Sequence, residues 1–163
     1  MERKYDKKMP PFVKGNNGAI LQWKLRNITY ERMLAVSEML AEYDLHYAQP
    51  PVLGMICHLN GATQKELADK MNTSAAAMSA SLKRMQKSGL IKKDSDEADS
   101  RINKIMLTEK GKQIHKDTFG KTMEIDRQML EGFTEEETEQ LFAYLDRVQE
   151  NISKILQNKT SQN

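Results

Sequence analysis

Residues 63–114 read TQKELADKMNTSAAAMSASLKRMQKSGLIKKDSDEADSRINKIMLTEKGKQI, and the punctuation of this stretch decides the fold. Thr63 and Glu66 are spaced so that each side chain can satisfy an amide left orphaned at a helix start. A helix therefore begins at or beside Thr63, with Leu67, Ala68 and Met71 on its inner face. Asn72, Thr73 and Ser74 interrupt it, because their side chains compete for backbone hydrogen bonds. Ser74 then serves as N-cap of a second helix, which buries Met78, Leu82 and Met85 at steps of four and three and stops at Gly89. Two short helices joined by a few polar residues make a helix-turn-helix. Beyond Gly89 the period changes: Leu90-Ile91 and Ile102 to Leu107 read as short strands around the polar stretch Asp94 to Ser100. Such a pair is a β-hairpin with a long tip, a wing.

Working outward, apolar residues from Ala19 to His46 recur close to helical spacing, with no Gly or Pro inside the run, so a long first helix precedes the core. Pro50 and Pro51 start a new, short apolar helix, since proline is tolerated in a first turn, and Gly61 closes it. Thr108 caps a fifth helix reaching about Leu130, broken or bent near Gly120. Thr134 and Glu137 form a second capping box. It opens a last helix whose Leu141, Leu145, Val148, Ile152 and Ile155 alternate in steps of four and three, a stripe that wants another helix to lie against. The expected fold class is mainly α with a small β-hairpin wing. A winged helix-turn-helix over 50–111 is flanked by helices over 19–46 and 112–156, with a mobile basic arm over 1–18 and a mobile tail over 157–163.

The length, 163 residues, fits one domain with helical extensions. The single Cys57 excludes an internal disulfide, the opening residues lack the apolar run of a signal peptide, and nothing approaches the roughly 20 apolar residues of a membrane span. A cytoplasmic protein without membrane contact is expected. The net charge of +2 hides an asymmetry. From Gly61 to Lys112 eleven Lys and Arg oppose seven Asp and Glu; from Met123 to Glu150 two oppose nine. A basic middle beside an acidic segment suggests that the middle faces a polyanion, although solvated helix faces produce the same pattern.

A helix-turn-helix followed by a hairpin presents its second helix to the major groove of double-stranded DNA. The stretch quoted above also resembles the DNA-binding core of the MarR family of transcriptional regulators. The resemblance rests on Leu67-Ala68 leading into the recognition helix, the Gly89-Leu90-Ile91 exit, and Asp99-x-Arg101 followed by Leu107-Thr108-x-x-Gly111. With the flanking helices it covers about Ala19 to Leu156. It implies a homodimer, probing a pseudo-palindromic operator and acting by default as a repressor, with the first and last helices as its interface: Leu21, Leu25, Leu141, Leu145, Val148 and Ile152. It implies that Asp99 orients Arg101 for the minor groove or adjacent phosphates. The base-facing positions become Ala75, Ala76, Ala77, Ser79 and Ala80, with Ser74 at the cap. Thr63, Gln64, Lys65, Lys83 and Arg84 are placed near phosphate.

The resemblance further implies a small aromatic or lipophilic effector, for which Tyr30, Met33, Met55 and His58 are the candidate lining, each equally at home in a core. Cys57 lies in an apolar segment where an inert buried thiol is expected rather than a redox sensor. His46, His58 and His115 lack metal-ligand spacing, so no metal and no cofactor is expected. No nucleophile elbow, P-loop, dinucleotide fingerprint or zinc-protease motif is present, so catalysis is not expected. The competing reading is a winged-helix adaptor or anti-repressor acting mainly through protein partners.

Overall fold

The computed structural model describes residues 8–95 and 103–160. A 3-10 turn, Pro11–Val13, leads into helix α1 (Asn17–Ala41), followed by α2 (Gln49–His58), α3 (Gln64–Lys70) and α4 (Ala75–Lys87). Strands β1 (Ile91–Ser95) and β2 (Asn103–Leu107) form an antiparallel hairpin, and helices α5 (Glu109–Gln128) and α6 (Glu135–Thr160) complete the chain. It is a mainly helical fold with one small hairpin, the class expected from sequence. Two compact units are present, residues 1–125 and 126–163. Among the described residues no helix is long and apolar enough to cross a membrane.

Each helix of the first unit starts where local chemistry dictates. The Asn16 side chain accepts from the Ala19 amide at the head of α1. At α2 the buried Gln49 folds back so that its Oε1 accepts from the His46 amide at 2.7 Å, while Pro50 and Pro51 occupy first-turn positions. The capping box at α3 is complete: Glu66 N–H donates to Thr63 Oγ1 and Thr63 N–H donates to Glu66 Oε2. Ser74 Oγ accepts from the Ala77 amide at 3.2 Å, capping α4. Asn60 and Asn72 take the left-handed turns after α2 and α3, at φ 48° each, a conformation that Asn tolerates better than most residues. In the second unit Thr134 and Glu137 exchange the same pair of bonds at the head of α6.

The core is the joint between these elements. Leu40 from α1, Leu53 and Ile56 from α2, Leu67 from α3, Met85 from α4, and Leu90 after it are almost wholly removed from solvent. They form one cluster with Leu82, Ile91, Ile105 and Leu107. Burying a Leu or Met side chain contributes about 1.5–3 kcal/mol, so the helix-turn-helix is held by this cluster rather than by helix propensity. The hairpin pairs Ile91 with Leu107 through Ser95 with Asn103. Its root is bound to the α2–α3 link, where Ala62 and Ile105 exchange both backbone bonds at 3.2 and 2.8 Å.

At the hairpin's exit Thr108 Oγ1 lies 2.6 Å from the Gly89 carbonyl and 3.2 Å from that of Leu90, and it accepts from the Gly111 amide. Lys110 Nζ donates to the Ser88 carbonyl at 2.9 Å. The first turn of α5 thereby grips the last turn of α4.

Three expected element bounds require correction. α1 ends at Ala41, not near His46, because Asp44 turns left-handed at φ 53° and breaks the helical path. β1 runs on through Asp94 and Ser95, which were expected in the polar tip, since backbone pairing to Lys104 and Asn103 needs no apolar side chain. α5 passes uninterrupted through Gly120, whose Cα faces open space, so that the glycine costs only propensity. α6 reaches Thr160, and in the N-terminal arm the buried Val13 anchors the 3-10 turn Pro11–Val13.

A Cβ on Gly111 would lie 2.0 Å from the Leu90 carbonyl oxygen. Gly111→Ala is therefore expected to destabilise the protein by about 3 kcal/mol, the upper range for forced overpacking, as read by thermal or denaturant unfolding. A Tm equal to that of the parent would show that the grip of α5 on Leu90 is absent.

Candidate nucleic-acid interface

The surface that a helix-turn-helix offers to a duplex is built here from the heads of α3 and α4. Buried Met78, Ser81, Leu82 and Met85 turn one face of α4 inward. At 100° per residue this leaves Ala76, Ala80, Lys83 and Lys87 along the opposite crest, all exposed. Ala75, Ala77 and Arg84 flank the crest and are exposed as well, whereas Ser79 is half-buried. Thr63 and Gln64 at the head of α3 are half-buried and Lys65 is exposed. Gln64 Nε2 reaches the Ala75 carbonyl at 3.4 Å, which brings this amide beside the start of α4.

Two helix starts with oriented N–H groups lie at this surface, and such termini favour phosphate oxygens. Among the described residues no ion pair engages Lys65, Lys83, Arg84 or Lys87. The sequence-predicted residues of α3 and α4 therefore come together on one accessible face. Asp99 and Arg101 lie outside the described residues.

A separate cavity of about 370 Å³ lies within the first unit. Its walls are Arg32 and Val36 from α1, Tyr47, then Pro50, Pro51 and Gly54 from α2, and one face of α5 bearing His115, Thr118, Phe119 and Thr122. None of Tyr30, Met33, Met55 or His58 is among them, and His58 is exposed. These four were chosen for residue type along two helices, whereas the cavity arises where three helices meet. The spacing of 115, 118, 119 and 122 marks a single helical face, a signal that was present in the sequence.

Arg32 Nη1 donates to the Tyr47 hydroxyl at 3.0 Å across the cavity wall. Burial pushes the His115 imidazole below its ordinary pKa, so it is neutral at physiological pH. Its ring stands 5.8 Å from that of Phe119. A Cβ on Gly54 would approach His115 Cε1 to 3.3 Å, so the glycine leaves room for the imidazole.

Cys57 is exposed rather than buried, against expectation, because it falls on the outer side of α2 between buried Ile56 and half-buried Leu59. Among the described residues no cluster of three or more His, Cys, Asp or Glu is placed to hold a metal ion.

The fold is that of a winged helix-turn-helix protein. A family description for MarR proteins matches residues 43–102. The uncharacterized HTH-type transcriptional regulator YybA of Bacillus subtilis (strain 168) is 31% identical over 113 residues, covering 69% of this chain and 75% of that protein. The chain belongs to the MarR family, and it is a DNA-binding transcriptional regulator rather than an enzyme.

Among solved structures, a putative MarR family regulator from Listeria monocytogenes complexed with 26mer DNA is 27% identical, with a TM-score of 0.65. The match covers 80% of this chain and 87% of that one. An organohalide-sensing regulator in its 2,4-dichlorophenol-bound form shares the fold, with a TM-score of 0.71 at 22% identity, covering 93% of this chain and 89% of that one.

Hydrogen bonds from the Thr63 backbone and hydroxyl, aided by Lys104 and Lys70, hold the Glu66 carboxyl below its usual range. A depressed carboxylate contributes stability that is present above its unfolded pKa and lost as pH falls through the folded value. The Glu66→Ala variant is accordingly expected to be less stable than the parent at neutral pH, because the capping box loses the carboxylate that accepts from the Thr63 amide. The gap should close as the solution is acidified below the carboxylate range. A gap that persists unchanged at low pH would place the effect elsewhere than in this cap.

Proposed function

We propose that this regulator works as a homodimer that represses transcription in the cytoplasm from a pseudo-palindromic operator and is modulated by a small aromatic or lipophilic effector. The observation that carries the DNA half of this reading is the exposed α4 crest, capped by Ser74 and bordered by cations that make no ion pair among the described residues. The wing pair Asp99 and Arg101 completes the site in this reading, with the guanidinium reaching the minor groove beside the half-site.

The dimer reading is supported by apolar side chains left in solvent. On α6, Phe142, Leu145, Ile152, Ile155 and Leu156 are each more than a third exposed, and no residue of that helix from 135 to 158 is buried. An apolar stripe of this length on a monomer surface marks an interface. Leu21 and Leu25 on α1 are half-buried and add to the same interface in this reading.

The effector reading is supported by the cavity between α1, α2 and α5. Its volume of about 370 Å³ is within the range of small-molecule sites. The neutral His115, the Arg32–Tyr47 pair and the Phe119 ring offer polar and aromatic partners. A dichlorophenol-bound relative of the same fold is consistent with such a ligand class.

Selection of bound duplexes from a random pool by the purified protein, with its mass in solution measured in parallel, tests the reading. A dimer enriching a pseudo-palindrome with half-sites about one helical turn apart is the expected result. A monomer, or a pool without enrichment, would sink it and favour an adaptor. On the enriched operator, Arg101→Ala is expected to cost about 1–3 kcal/mol of affinity with the dimer intact, read by titration at fixed salt. Leu145→Glu places a charge in the proposed seam, and sedimentation should show a monomer or an unfolded chain; a folded dimer would move the interface elsewhere.

A further inference from the structure

In the reading proposed above the surface of α4 faces DNA; what its first turns read is a separate question, and their chemistry is narrow. Over residues 75–80 every fully exposed side chain is a methyl group: Ala75, Ala76, Ala77 and Ala80. Ser74 Oγ is occupied by the Ala77 amide, and Ser79 is half-buried.

The basic residues of the crest begin only at Lys83, seven residues beyond Ala76, which is about 10 Å along the axis. A recognition helix meets base edges with its N-terminal residues. Its cations at Lys83, Arg84 and Lys87 thus fall where phosphate, not base, lies within reach. Guanine is read in the major groove by Arg or Lys at O6 and N7, and adenine by Asn or Gln at N6 and N7. No such side chain stands on the outer face of the first two turns of α4.

Gln64, drawn toward Ala75 by its Nε2 contact, is an amide beside this crest, and it comes from α3. What a methyl crest can recognise is another methyl, and in the major groove only thymine carries one. The absence of long side chains also lets the backbone of this segment approach the floor of the groove.

We propose that the half-site is selected through thymine methyls: the base pairs that face Ala76 and Ala80 are T·A pairs whose 5-methyl groups pack on the alanine Cβ atoms. Guanine-directed hydrogen bonding contributes nothing at these positions. A methyl on C5 of cytosine occupies the same place as that of thymine, so 5-methylcytosine satisfies this contact where cytosine does not. The inference rests on the sequence-specific reading above and adds to it the class of base that the helix selects.

The test uses the full-length protein and the duplex enriched by selection. Each thymine of the half-site is replaced in turn by deoxyuridine, which removes the methyl and leaves every hydrogen-bonding group intact. One or two positions are expected to lose about fourfold in affinity, the equivalent of one buried methyl. At those positions 5-methylcytosine should bind more tightly than cytosine. Ala80→Gly should then bind thymine and uracil equally at one position, because coupling between two methyls is lost when either is removed.

Full affinity for uracil at every half-site position would overturn the proposal while leaving a sequence-specific regulator. So would a guanine-rich consensus facing the first turns. A pool without enrichment would remove the sequence-specific reading and this inference together. The uracil series needs no protein variant, so the outcome does not depend on whether Ala80→Gly folds.

Discussion

The way α5 is joined to the end of the helix-turn-helix depends on four residues. Thr108 places its hydroxyl between the carbonyls of Gly89 and Leu90 and the amide of Gly111, and the missing side chain at Gly111 lets α5 lie directly on the Leu90 backbone. The carbonyls it holds lie just past α4, whose own last carbonyls, at Arg84, Met85 and Gln86, accept from the Ser88, Leu90 and Gly89 amides. One hydroxyl thus starts α5 and ties its first turn to the segment between α4 and β1. Buried polar groups must be paired, and this pairing leaves α4 little freedom relative to α5.

The other face of α5 carries a different set of contacts. Lys121 bonds to Glu42 and lies 5.0 Å from the centre of the Tyr43 ring, at the end of α1. Exposed ion pairs of this kind contribute little to stability, and this one marks where α5 passes the turn before α2. Between these two ends, His115, Thr118, Phe119 and Thr122 form one wall of the cavity. A molecule seated there would press on a helix whose first turn is fastened to the recognition helix. In the proposed effector reading, this chain of packed, hydrogen-bonded elements is the route that occupancy would take.

What could be read in the sequence was what is decided locally. Thr63 with Glu66, Ser74, and Thr134 with Glu137 each announce a helix start because a cap is closed within four residues, and all three are found where they were expected. The apolar steps of Met78, Leu82 and Met85 identified the inner face of α4 for the same reason. Elements whose limits depend on partners distant in sequence were less legible. β1 extends through Asp94 and Ser95 because β2 supplies their ladder, and no side-chain pattern records that. Cys57 was expected inside because its neighbours are apolar, yet a helix turns adjacent residues by 100°, and its turn faces out. The cavity was missed because Arg32, Tyr47 and His115 are brought together by tertiary packing, although the helical spacing of its α5 wall could have been noticed.

Two glycines of the winged unit look alike in sequence and differ in what they permit. At Gly61 the atom in the way of a side chain is the sulfur of Met106, the far end of a flexible chain, with the φ of +99° as a further obstacle. At Gly111 the obstacle is a carbonyl oxygen of the backbone itself. A side chain can be shortened by a second substitution, whereas a backbone oxygen cannot be removed by any. At the first position exchanging Met106 for a smaller residue would therefore remove the clash and leave only the backbone strain of the positive φ. The second has no such remedy, so that as long as α5 rests on Leu90, descendants of this sequence are confined to glycine there whatever else in the chain drifts.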